Sequence, residues 1–79
     1  MDGGVEERVA DILMDELTLP RLAPDIDLIA AGYLDSLALV DLVFHLEQQF
    51  GFQIGLDDLE AENFASIQKI ADFVSQNRL

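Results

Sequence analysis

Apolar residues in this chain recur at helical spacing and nowhere alternate two by two over a sustained stretch, which confines the fold to helices. Val5, Val9, Ile12, Leu13 and Leu17 fall on one face, with Glu6, Glu7, Asp11 and Asp15 turned to water. That spacing predicts a first helix over about Val5 to Leu17. Thr18-Leu19-Pro20 ends it, because proline disfavours helical geometry in the residue before it. A second helix is expected from about Ser36 to Phe50. Gly51 stands where a left-handed residue closes a helix, and Phe52 is placed for the hydrophobic contact that often accompanies such a closure. After Gly55 the chain predicts a short helical piece, about Leu56 to Ala61. A last helix runs from about Ile67 to Gln76, with Ser66 as N-cap and Ile67, Ile70, Ala71 and Val74 facing inward. Lys69 occupies the position where a capping box needs Glu or Gln. The expected fold is all-α, with three main helices and one minor one.

Between the first two helices lies a long connection, roughly Leu19 to Asp35. Pro20, Pro24 and Gly32 interrupt regular structure, while Ile26, Leu28, Ile29 and Leu34 supply apolar anchors. Loops beyond about 12–15 residues are uncommon in compact domains and tend to be functional. The anchors predict a loop held down on the core.

At 79 residues the expectation is a single domain spanning 1–79, of modest stability because chains this short bury only about 60% of their unfolded surface. Half of the residues are apolar, enough for a core. No apolar run approaches the roughly 18–20 residues of a membrane span, and no signal-peptide pattern opens the chain. A complete, unattached, cytoplasmic monomer is expected. The absence of cysteine removes disulfides and thiolate nucleophiles, so any sulfur chemistry must come from a cofactor. Sixteen acids against Arg8, Arg21, Lys69 and Arg78 give a net charge of −12. Such a surface repels nucleic acid and anionic membranes and favours protein partners with basic docking faces.

The second helix has two apolar faces. At about 100° per residue, Leu39, Leu42, Val43, Leu46 and Phe50 form a core stripe. Leu37, Val40 and Phe44 cluster on roughly the opposite side, rimmed by Asp41, Glu47 and Gln48. One stripe suffices for packing. The second either packs under the loop or the minor helix, or is an exposed strip for partners, its acids steering basic surfaces.

Asp35 and Ser36 stand where the long loop meets this helix. Either side chain can cap it, which is the commonest use of such a pair. Ser36 is also placed for chemistry: a phosphodiester on its hydroxyl would lie at the positive end of the helix. Asp35 can help to position that hydroxyl.

In the Gly32-Tyr33-Leu34-Asp35-Ser36-Leu37 junction, in Val40, Leu42, Val43, Leu46-Glu47 and Phe50-Gly51, and in Ile54, Asp57-Asp58, Phe64, Ile67, Ile70 and Val74, the chain resembles the acyl carrier protein family. The resemblance covers nearly the whole chain. It implies a small helical bundle, in that family a four-helix bundle with a short third helix and a long loop after the first. It implies a non-catalytic carrier that bears 4′-phosphopantetheine, delivered from coenzyme A by a phosphopantetheinyl transferase using magnesium, with Ser36 as the attachment serine and Asp35 beside it. It implies partner contacts for Leu37, Val40, Asp41, Phe44 and Glu47. The further partners are an ATP-dependent acyl or aminoacyl ligase and a downstream acyl transferase or condensing enzyme. Carriers of fatty-acid synthesis usually read Gly-Ala-Asp-Ser-Leu at the junction. The bulkier Tyr33-Leu34, together with Glu62-Asn63-Phe64, is similar to free-standing carriers for amino acids and specialised acyl units, and Gln48 and Gln49 replace acids common in the fatty-acid type.

The competing expectations are a fatty-acid-synthesis carrier and a helical interaction module, or degenerate carrier, that stays unmodified. An enzyme is poorly supported. His45, the single histidine, lies nine residues beyond Ser36, more than about 13 Å along the helix, and is expected on a solvated flank. No metal site is expected: Asp25 and Asp27 open like a calcium loop, but Ile29 and Ser36 stand where its later oxygen ligands belong.

Overall fold

The computed structural model describes residues 2–77. Three α-helices, α1 (Asp2–Asp15), α2 (Ser36–Phe50) and α3 (Ile67–Asn77), surround one core, and no strand occurs among the described residues. Val5, Val9, Ile12 and Leu13 of α1, Leu42 and Leu46 of α2, and Ile67, Ile70, Ala71, Phe73 and Val74 of α3 are buried in a single cluster with Leu28, Leu34 and Phe64. Each large side chain so buried contributes about 1.5–3 kcal/mol. Phe73 joins the four inward positions expected for α3, its ring 5.3 Å from Phe64 and 6.2 Å from Phe52. The expected N-cap of α3 forms, with Ser66 Oγ accepting from the Lys69 N–H at 3.1 Å.

Helix α1 ends two residues earlier than its apolar pattern predicts. The Glu16 and Leu17 N–H groups both donate to the Ile12 carbonyl, at 2.9 and 3.3 Å, and Leu19 N–H donates to Leu13 at 3.0 Å. Thr18 takes a φ of 56°, a costly conformation for a β-branched residue. The reason lies in Leu17 and Leu19, which both pack on the core. A continuing helix would set them about 200° apart. The reversal at Thr18 lets both turn inward.

The long connection is tied down as its anchors predict. Leu28 and Leu34 are buried, and Ile26 and Ile29 lean on the core. Backbone bonds fasten it to the far side of the fold: Leu28 N–H donates to Ala65 at 2.6 Å, and Gln68 N–H donates to Pro24 at 3.1 Å. Asp27 Oδ1 accepts from the Ile29 and Ala30 N–H groups, closing a tight turn.

The short helical piece expected over Leu56 to Ala61 takes the form of two 3-10 turns, Leu56–Asp58 and Ala61–Phe64, so the four-helix bundle is corrected to three α-helices among the described residues. Asp58 N–H donates to Gly55 and Asn63 N–H to Glu60, both at 3.0 Å and both spanning three residues. An α-helical nucleus is costly. Asp57, Asp58 and Glu60 crowd three negative charges into that stretch, so single turns are what it supports.

Candidate functional site

The candidate site is the junction between the long connection and α2. Tyr33 and Leu34 N–H groups both donate to the Leu28 carbonyl, at 2.8 and 3.1 Å, after a turn at Gly32, whose φ of 86° suits a residue without Cβ. The chain then extends through Asp35 (φ −109°, ψ −171°) and enters the helix at Ser36. Of the two capping candidates, Asp35 caps: its Oδ1 accepts from the Ala38 N–H at 2.8 Å. Ser36 is therefore the first helical residue, exposed, and its hydroxyl has no hydrogen-bond partner among the described residues. Ser66, by contrast, is buried and occupied as a cap, and Thr18 donates to the Leu17 carbonyl. Ser75 is exposed in the body of α3, away from any helix start.

A cleft of about 300 Å³ opens beside Ser36, lined by Ile29, Leu34, Asp35, Ser36, Leu39 and Ala61. Its walls come from the long connection, α2 and the second 3-10 turn. The sequence marks Ile29 and Leu34 only as anchors and Leu39 only as core, so the cleft could not be read from spacing. Ala61 enters it because the 3-10 turns bring the chain back past the start of α2.

The outer face of α2 is open. Leu37, Val40 and Phe44 are 82%, 65% and 53% exposed, whereas Leu42 and Leu46 on the inner face are 0% exposed. Packing under the loop or under the 3-10 turns is thereby excluded for all three. The acids beside them are not equivalent. Asp41 is exposed, with Oδ1 3.3 Å from His45 Nε2. Glu47 is half-buried, and its Oε2 accepts from the Ile54 N–H at 2.8 Å. His45 is less solvated than expected: Nε2 also lies 3.8 Å from Glu16 Oε1, and its ring meets Phe44 edge-on at 5.4 Å. The Ser36 hydroxyl is not brought to His45 or to any other base, and no cluster of acids or histidine able to hold a metal ion occurs among the described residues.

Residues 7–74 match the family described as "Phosphopantetheine attachment site". Two proteins named "Acyl carrier protein", from Nitratidesulfovibrio vulgaris strain DP4 and from strain Hildenborough, are each 32% identical to this chain over 76 residues, covering 94% of it and 97% of their own length. The chain belongs to the acyl carrier protein family. Its prosthetic group is covalently attached 4′-phosphopantetheine, and its role is that of a carrier. Acyl carrier proteins work with a phosphopantetheinyl transferase and with acyl-handling enzymes. The junction fits such a group. The Ser36 hydroxyl is exposed and without a hydrogen-bond partner among the described residues, and it stands at the positive end of α2. The first turn of that helix holds no acid of its own, the nearest carboxylate being the capping Asp35. No helix among the described residues is long and apolar enough to cross a membrane.

Proposed function

We propose that Ser36 is the attachment serine and that the chain holds an acyl or aminoacyl group as a thioester for transfer between partner enzymes. One observation carries this reading: with Asp35 taken up by the helix cap, the Ser36 hydroxyl stands exposed, and unpartnered among the described residues, at the first position of α2. When attached, the arm supplies the thiol that bears the acyl group. The chain's own residues do the rest. Asp35 fixes the start of α2 and so the direction of the hydroxyl. The N–H groups of Ser36 and Leu37 stabilise the phosphodiester.

Leu37, Val40 and Phe44 dock the partners, with Asp41 and Glu47 at their edge. A chain of net charge −12 draws enzymes with basic docking faces. The partners we infer are a phosphopantetheinyl transferase using coenzyme A, an ATP-dependent acyl or aminoacyl ligase, and a downstream acyl transferase or condensing enzyme, in the cytoplasm. Ile29, Leu34, Leu39 and Ala61 favour cargo with an apolar portion, while the Tyr33-Leu34 junction is similar to carriers of amino acids and specialised acyl units.

Incubation with a phosphopantetheinyl transferase, magnesium and coenzyme A, followed by intact mass, tests the reading. One phosphopantetheine is expected on the wild type and none on Ser36→Ala. An unmodified wild-type chain would point to a degenerate carrier kept for binding alone.

A further inference from the structure

Glu47 belongs by sequence position to the acids of the outer face, yet its carboxylate is committed elsewhere. Glu47 Oε2 accepts from the Ile54 N–H, seven residues on and past the left-handed turn at Gly51. The segment it reaches is thinly held. From Gly51 to Glu60 no described side chain is buried, and Phe52, Ile54 and Leu59 only lean on the core. The next buried residue is Phe64. This same stretch delivers the chain to Ala61, a wall of the cleft beside Ser36. A carboxylate acceptor in a part-buried setting bonds an N–H more strongly than a neutral group or water does.

We infer that Glu47 is a positioning residue: its carboxylate pins the 51–60 segment to the end of α2 and so sets where Ala61 stands opposite Ser36. A pin acts as a hydrogen-bond acceptor, whereas a purely docking acid acts through its charge. Glu47→Gln keeps the acceptor and removes the charge; Glu47→Ala removes both. The consequence for cargo rests on the carrier reading, but the pin itself can be measured on the unmodified protein.

Amide hydrogen exchange on the unmodified chain reads the pin. In Glu47→Ala the amides from Ile54 to Ala61 should exchange about ten-fold faster or more, while those of Leu42, Leu46 and Ile70 keep their protection. Glu47→Gln should stay near wild type. Glu47→Met, which retains the aliphatic stem, replaces the alanine variant if that does not fold. Cargo supplies the functional readout. On chains loaded with octanoyl-phosphopantetheine, hydroxylamine should cleave the thioester several-fold faster in Glu47→Ala than in wild type or Glu47→Gln, with acetyl thioesters cleaved alike in all three. Unchanged Ile54 exchange in Glu47→Ala, or equal losses in both variants, would overturn the pin. Altered exchange with unaltered octanoyl cleavage would overturn its effect on the cleft. A chain that cannot be loaded would defeat the carrier reading and leave the exchange result standing.

Discussion

The two faces of α2 are built from the same kinds of residue and serve opposite ends. Leu42 and Leu46 are wholly buried, and Leu39, Val43 and Phe50 pack beside them; Leu37, Val40 and Phe44 stand in solvent one half-turn away. The inner stripe supplies folding free energy. The outer strip supplies almost none, because burial and not composition is what the hydrophobic effect rewards. Three large apolar side chains left in water along one helix do not pack within this fold, which is the observation behind the proposed docking of partners. Ser36 opens the helix that carries both faces, so the core stripe makes rigid the platform from which the outer strip and the hydroxyl are presented.

The two faces differ most sharply at Leu46, which is wholly buried. Leu46→Ala should lower the unfolding free energy by about 2–5 kcal/mol, read by chemical denaturation, and a chain of 79 residues has little to spare. Asp35→Ala, which removes the cap that orients both faces, should cost about 1 kcal/mol by the same measurement. Phe44→Ala should shift stability by no more than about 0.5 kcal/mol, yet raise the KM for the phosphopantetheinyl transferase about five-fold or more while leaving kcat near wild type. A Phe44→Ala variant that unfolds like Leu46→Ala would erase the distinction between the faces. The smallest effect concerns both faces equally. With a net charge of −12, millimolar magnesium or moderate salt should raise the melting temperature by a few degrees through screening of self-repulsion.

Much of this was legible in the sequence, and the rest was not for identifiable reasons. The 3.6-residue period reported the three helices and the double-faced second one. Gly51 reported its left-handed cap, found at φ 71° and ψ 35° with its N–H on the Glu47 carbonyl at 3.0 Å. Ser66 reported the start of α3. Proline at position 20 suggested an end for α1 two residues too late, because the chain leaves the helix earlier and packs both Leu17 and Leu19 against the core. The short helical piece was legible, but not that it splits into two 3-10 turns, since an acid-rich segment between two breaks holds single turns only. Asp35 and Ser36 could not be told apart as caps by type; the backbone decided, by entering the helix one residue after Asp35. The tasks of Glu47 and His45 were hidden because both depend on contacts outside α2, with Ile54 and Glu16 respectively. The proposal for Ser36 rests on its surroundings in the sequence and on its exposure at the start of α2, not on the residue type.

Peptide-level mapping of the loaded chain tests the central claim most directly. After exposure to transferase and coenzyme A, the wild-type protein is digested and fragmented, and the modified residue is located. The phosphopantetheine should reside on Ser36 alone, with Ser66, Ser75 and Thr18 unmodified. Its discovery on any of those three, or on no residue under conditions that load an authentic carrier, would contradict the account.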